Sequence, residues 1–517
     1  MSRFDSKPPY RSQTPPGIND FPVELLSSIF RLAKTKPPPH LGTVDIHRQN
    51  LSILGITRVC RHWRAVAIQD SSLWNNISFS TSKLSTIRCA DEFLRRSRRA
   101  MINVQIIDIP SSSINPYCAL VASLVEDIAR QSHRIVEFEV VGLSKPIGEA
   151  LVYPANNLCQ LRIDGHGFEE LPLVFGGMMP RLSRLTLSNP SGWNLGAFPE
   201  VTNVSLFCGG NGVGAGSLVD FLGGASKLKV LSLSRCHDSG SPEMVQKPIS
   251  LPHLCELNLS FCDSPQILSH LVLPHSACVS ILTSPGPEHR NIFCCIPNTP
   301  GFRLSLYDTQ SLTVVLHPTD NEFYLSMHGR DKPSFFLRVC EDKRKLDWRW
   351  ILRSINSAPS FKPFLNIESL TVSVENYSIP WKSWLPQLEG LVRIEVASVD
   401  PNELILALTV TRPNRKRLLC PSLRCLSVES KRPGKPIGYF QLRSCLVSRA
   451  KAGHPVSRLR VRSEVWARMV QVHRGWEELV ISQGDVTATL CDYEISLCTP
   501  EPTEGFTSIL MKRNPTN

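Results

Sequence analysis

Cysteine is the most conspicuous reactive residue in this chain, with seventeen in 517 residues. An odd count leaves at least one thiol unpaired in a monomer, which fits poorly with a closed disulfide framework. Zinc would need paired ligands, yet there is no C-x-x-C. Cys294 and Cys295 are adjacent, and Cys420 and Cys425 have no matching His/Cys pair. Most cysteines, including Cys60, Cys159, Cys255 and Cys425, lie among apolar neighbours and are expected to be small buried hydrophobes. The fourteen histidines contain no H-E-x-x-H pair, and no G-x-S-x-G elbow is present. With no local catalytic constellation, the chain is expected to be non-catalytic and to need no cofactor or metal.

Two further features invite chemistry and are weaker on inspection. The glycines of Cys208–Ser217 follow an apolar strand-like run, the context of a phosphate-binding loop. Gly209 and Gly214 fit the first two places of a Walker loop, but Ala215 stands where lysine is needed. Gly212 and Gly214 begin a dinucleotide fingerprint that Ser217 fails to close, so a flexible connection is expected. The net charge of +12 makes anionic partners worth testing. The runs Arg95-Arg96-Ser97-Arg98-Arg99 and Arg412-Pro413-Asn414-Arg415-Lys416-Arg417 lack the interleaved aromatics of a stacking platform. They read as solvated faces or import signals, which weighs against nucleic acid and leaves the location cytoplasmic, nuclear or both.

The opening MSRFDSKPPYRSQTPPG has no apolar core for a signal peptide, and no run approaches the ~18 apolar residues of a membrane span. The expected compartment is therefore reducing, and the cysteines are expected to be thiols. A hydrophobic share of 42% with 20% charged residues excludes wholesale disorder, while forty prolines argue against long unbroken helices.

The elements that would position any site fall into two kinds. Residues 1–19 are polar and Pro-rich and read as a disordered tail. From Asp20-Phe21-Pro22 onward, Phe21, Leu25, Leu26, Ile29, Phe30 and Ala33 recur as one apolar helical face. After a polar connection over 35–50, Ile56, Val59, Cys60, Trp63, Val66 and Ala67 repeat the pattern, and Leu73-Trp74 follow. A module this small cannot bury all these side chains alone, so the rest of the chain or a partner must cover some of them.

These blocks resemble the F-box motif: Phe21-Pro22-Val23-Glu24-Leu25-Leu26-Ser27-Ser28-Ile29-Phe30, then Val59-Cys60-Arg61-His62-Trp63-Arg64, then Leu73-Trp74. Phe21 replaces the family's usual leucine, and the long connection between the blocks is similar to that of fungal F-box-like proteins. The resemblance implies that Phe21, Pro22, Leu25, Leu26, Ile29, Phe30, Val59, Cys60, Trp63, Leu73 and Trp74 bind a Skp-type adaptor and, through it, a cullin.

From about residue 100 the signals become short β-type runs. The pattern L-x-x-L-x-L, with aliphatic swaps, begins at Leu158, Leu182, Val201, Leu228, Leu254, Ile367, Leu391 and Leu423. The first five starts are 24, 19, 27 and 26 residues apart. Three of these steps fall in the window of ~20–29 residues of leucine-rich repeats, which this region resembles. Ser234-Arg235-Cys236 and Ser260-Phe261-Cys262 resemble the position whose Cys or Asn bonds the turn after the repeat strand. Between about 275 and 360 the template fades, apart from a strand-like Leu312–Leu316 and a charged helix expected over 342–352. Terminal strands are expected near Val456–Val461 and Glu478–Ile481.

The expected fold is α/β: an F-box-like helical domain over 20–79, then an irregular leucine-rich-repeat-like solenoid over 100–499, divergent or interrupted at about 275–360. Residues 500–517 read as a loose tail. Function then follows from the resemblance: a substrate-recognition subunit of a Skp–cullin–F-box ubiquitin ligase, holding an unknown substrate protein on its repeats. The alternative is a stand-alone leucine-rich-repeat scaffold whose helices only cap the array.

Overall fold

The computed structural model describes residues 18, 21–34, 45–107, 116–164, 173–188, 193, 195–208, 218, 221–236, 249–262, 264–274, 276–284, 309–317, 322–329, 333–340, 366–374, 379, 381–398, 400–409, 418–430, 438–462, 493–498 and 506–513. The chain divides into two compact units: residues 1–209 with 221–225, and residues 210–220 with 226–517. Its class is mixed α/β, a helical N-terminal region followed by a large, mainly parallel sheet.

In the first unit, helices α1 (Val23–Ala33), α2 (Asp45–Val59) and α3 (Arg61–Gln69) lead to strand β1 (Asn76–Ser80). Helix α4 (Leu84–Ser97) crosses to β2 (Ile102–Ile107), and α5 (Cys118–Arg130) crosses to β3 (Ile135–Val141). After α6 (Lys145–Ala150) come β4 (Gln160–Asp164), β5 (Arg184–Ser188) and β6 (Asn203–Phe207). All six strands pair in parallel and in chain order. Parallel neighbours need a crossover, and α4 and α5 supply it as amphipathic helices. Ile87, Ala90 and Leu94, and Val121, Leu124, Val125 and Ile128, are their buried faces. The first strand thus starts at Asn76, inside the stretch expected to be wholly helical, and α4 and α5 carry stripes that the search for β-type runs passed over.

The second unit begins with β7 (Val230–Ser234), β8 (Ile249–Ser250) and β9 (Glu256–Ser260). Helix α7 (Ser264–Ser269), β10 (Leu271–Val272) and β11 (Cys278–Thr283) follow, with β8 and β10 forming a small pair apart from the main sheet. Strands β12 (Ser311–His317), β13 (Glu322–His328) and β14 (Pro333–Cys340) precede β15 (Ser369–Val374). Helix α8 (Trp381–Trp384), β16 (Arg393–Ser398), α9 (Asn402–Leu408), β17 (Cys425–Ser430), α10 (Tyr439–Lys451) and β18 (Arg458–Arg462) continue the chain.

Each of the eight L-x-x-L-x-L blocks becomes a strand of this kind. None of their twenty-four aliphatic side chains is more than 4% exposed. Register carries each template position onto the next: Leu161 opposes Leu185 and Leu185 opposes Val204, as Leu370 opposes Ile394 and Ile394 opposes Leu426. A slip of one residue would turn the whole apolar row outward, so burial itself holds the register.

The template fades after residue 275 because the strand direction changes. β11 pairs with β14, β14 with a reversed β13, β13 with β12, and β12 with β15, so a three-stranded meander interrupts the parallel run. Its core side chains are Leu312 and Val314 with Phe323, Leu325, Met327, Phe335, Leu337 and Val339, two of them aromatic where the template has none. At the far end, β20 (Phe506–Arg513) runs antiparallel to both β18 and β19 (Tyr493–Cys498). β20 lies in the stretch expected to be loose, and pairing on both sides is what gives its backbone partners. The tail 1–17, most of the glycine loop, the runs 342–352 and 412–417, and Glu478–Ile481 lie outside the described residues.

Candidate functional site

Helix α1 is preceded by Pro22 at its N-cap, whose carbonyl accepts from the Leu25 and Leu26 N–H groups at 3.0 and 3.1 Å. Proline suits this place because its missing N–H has no helical partner to lose. Asp20, the expected cap, lies outside the described residues. The apolar residues of α1 divide into two stripes rather than one. Leu26 and Phe30 are buried at 0% and 1% exposure, while Leu25 is 53% exposed and Phe21 36%. At 100° per residue Leu25 and Leu32 share a line, and Leu32 is 83% exposed.

The second expected helix is two helices that break at Cys60. Its backbone is extended (φ −155°, ψ 172°), and its Sγ accepts from the Trp63 N–H at 3.4 Å, capping α3. Across the break, Arg64 Nε donates to the Thr57 carbonyl at 2.8 Å, one of those that α2 leaves open at its end. α2 itself begins at Asp45, within the stretch 35–50 read as a polar connection. The break turns Trp63 onto Phe30, with ring centroids 5.0 Å apart.

The closing Leu73-Trp74 pair is core. Both are fully buried; Trp74 Nε1 donates to the Ala67 carbonyl at 2.7 Å, its ring meets Phe93 edge-on at 4.9 Å, and the Arg96 guanidinium lies 4.3 Å over it. The basic run 95–99 is thus partly structural, since Arg95 and Arg96 also pair with Glu92 one turn back.

Two charged groups tie α1 to this turn. Arg31 Nε donates to Asp70 Oδ2 at 2.9 Å. Burial pushes the Asp70 carboxyl up, but hydrogen bonds from Ser72 and Arg31 outweigh it and hold the carboxyl below its ordinary value. Lys34 Nζ donates to the carbonyls of Ser72 (3.3 Å) and Leu73 (3.1 Å) and to Asn75 Oδ1. Burial lowers this amine to about 8 while Asp70 pulls the other way.

The eleven residues expected to contact a partner therefore separate. Leu26, Phe30, Leu73 and Trp74 are sealed in the core and have no surface to offer. Ile29, Cys60 and Trp63 are half-buried, and Phe21, Pro22, Leu25 and Val59 are exposed, Val59 at 59%. Val23 (43% exposed) and Leu32 join the exposed set, and the seven-residue spacing of Leu25 and Leu32 was the signal for the latter. The Trp63 indole N–H is buried without a partner among the described residues.

Helices that leave apolar side chains on solvent while a separate set fills the core have the form of a protein-docking module. More particularly, residues 18–80 match the F-box-like family, and this stretch is an F-box-like domain. No curated protein matches the chain. The domain suggests a role as an adaptor-binding module of the Skp–cullin–F-box type of ubiquitin ligase.

Elsewhere, thirteen cysteines among the described residues are free thiols, and these residues hold no cluster of three or more metal-ligating side chains. Five are buried: Cys208, Cys236, Cys262, Cys420 and Cys445. Cys255 is exposed, and Cys159 and Cys425 are half-buried, at the template's x positions rather than its leucine positions; Cys60, the cap of α3, is half-buried as well. Cys262 Sγ accepts from the Cys236 N–H at 3.4 Å and lies 3.3 Å from the Leu233 carbonyl, linking the turns that follow β9 and β7. Among the described residues no helix is long and apolar enough to cross a membrane.

Proposed function

We propose that this chain is the substrate-recognition subunit of a Skp–cullin–F-box ubiquitin ligase, non-catalytic itself, that docks a Skp-type adaptor through α1–α3. The carrying observation is that Leu25 and Val59 stand 53% and 59% exposed on an F-box-like domain whose core is already filled by Leu26, Phe30 and Trp74. The in-register strands support reading residues 100–499 as a leucine-rich-repeat-like region that presents its solvent-facing x positions to a substrate protein. The long connection after α1 supports the likeness to fungal F-box-like proteins. The contribution to rate is proximity, a substrate lysine held at high effective concentration near a ubiquitin thioester that the cullin brings.

The packing of Trp74 on Phe93 and Arg96 favours a second reading, in which the helices only cap the first strand of a scaffold. Co-purification of the full chain with a Skp-type adaptor separates the two. Leu25→Asp with Val59→Asp leaves the core untouched and is expected to abolish capture at an unchanged melting temperature. Capture that survives in the folded double variant overturns the proposed interface, and no capture by the wild-type chain favours the scaffold.

A further inference from the structure

On the open face of β16–β18, register sets Arg393 opposite Cys425 and Cys425 opposite Arg458, with Glu395 and Ser427 paired in the next row. These five side chains line one shallow pocket of about 50 Å³. At roughly 10–15 Å³ per water that is room for a few waters, far from the roughly 300–1,000 Å³ of a small-molecule site. The arginines stand two strands apart, roughly 10 Å, so their forks can close on one group over Cys425. None of the described residues bonds or ion-pairs with the side chains of Arg393, Glu395 or Arg458. The pocket is therefore an arrangement of two exposed cations, one anion and one hydroxyl that no other described side chain engages.

We propose that this pocket is an anion subsite that receives one Asp or Glu side chain from an extended segment of the substrate protein, an inference that rests on the receptor reading above. Charge complementarity chooses the occupant. The lining's two arginines and one glutamate leave a single positive charge, which one carboxylate neutralises; Arg460, set opposite Ser427 by register, adds positive charge beside the lining, so the test below includes phosphoserine as the competing anion. A carboxylate can take both forks in charge-assisted hydrogen bonds, Ser427 can donate a third, and Glu395 is left to accept a backbone N–H of the segment.

The test is selection from an equimolar randomised nonapeptide library, with phosphoserine among the residues, on the immobilised full-length chain. The expected result is enrichment of Asp and Glu by about tenfold over Gln and Asn, the scale of one charge-assisted pair. Arg393→Gln with Arg458→Gln should erase it, and Arg393→Glu with Arg458→Glu should select Lys and Arg instead, at an unchanged melting temperature. Arg88→Gln with Arg99→Gln, an equal charge loss on exposed surface in the other unit, should leave it intact. No acidic enrichment, enrichment that survives loss of both arginines, or a preference for phosphoserine over Glu overturns the proposal. Adaptor capture is read separately on the same variants: its absence from the wild-type chain removes the ligase reading while acidic selection stands, and the reverse result removes only the subsite.

Discussion

The Lys34 amine offers a prediction whose sign is opposite to that of an ordinary ion pair. It sits half-buried at the end of α1 with its donors on two carbonyls and an amide oxygen, and burial brings its pKa from 10.5 to about 8. Between pH 8 and 10.5 the unfolded lysine therefore holds a proton that the folded one has released. By linkage, stability rises with pH across that window and the gain is complete only above it. At 1.36 kcal/mol per unit, a displacement of about 2.5 units sets a ceiling of about 3.4 kcal/mol. The amine keeps partial contact with water, and solvent screening brings the expected gain to about 1–2 kcal/mol. Competitive reductive methylation of the full chain from pH 6 to 11, with each lysine peptide followed by mass spectrometry, should give Lys34 a midpoint near 8. Exposed lysines should titrate near ~10.4. Lys34→Met should remove the alkaline rise in stability of α1, read as protection of Val23–Ala33 from pulse proteolysis. A Lys34 midpoint at or above 10, or a rise that persists in Lys34→Met, would refute the reasoning.

Three further outcomes follow from the packing. Leu26→Ala, which removes a side chain with no exposure, should destabilise the F-box-like domain by about 2–5 kcal/mol, whereas Leu25→Asp one residue away should stay within about 1 kcal/mol, both read from urea midpoints. Arg235 holds the left-handed backbone (φ 54°) that closes the turn after β7. There Arg235→Gly should gain about 0.5–1 kcal/mol and the β-branched Arg235→Val should lose at least as much. Trp63→Phe deletes a buried indole N–H that has no partner among the described residues, so its thermal midpoint should match or exceed that of the wild type.

How much of this was legible in the amino acids depends on the period of the element. In a strand the side chains alternate between two faces, so L-x-L assigns an interior absolutely once one leucine is placed. Leu231 and Leu233, or Leu257 and Leu259, have no third option. The same rule exposes the error over Cys425, an apolar neighbour of leucines on the outward parity of β17, while Cys255 precedes β9, where Leu254 takes the interior place, and is exposed. The meander over β12–β14 obeys the same alternation, yet its turn spacing and aromatic core differ from the template, and a search for L-x-x-L-x-L passes over it.

Helical faces are less decisive, and the F-box-like domain shows why. A wheel for α1 puts Leu25 and Leu26 100° apart, and both can belong to one broad apolar arc. Which edge of that arc meets the core is decided by neighbours distant in sequence: Trp63 over Phe30, and the clamp of Arg31 and Lys34 on residues 70–75. Periodicity also runs straight through Cys60, because a helix broken at one capped residue resumes nearly in phase; only the thiol's ability to accept the Trp63 N–H marks the break. The consequence bears on function. Motif positions that match the F-box pattern include both the supports and the surface, and substitution of Leu73 or Trp74 would abolish the proposed adaptor binding by unfolding the domain, a result that says nothing about contact. Leu25, Leu32 and Val59, whose removal leaves that core whole, are the positions at which loss of binding would mean loss of an interface.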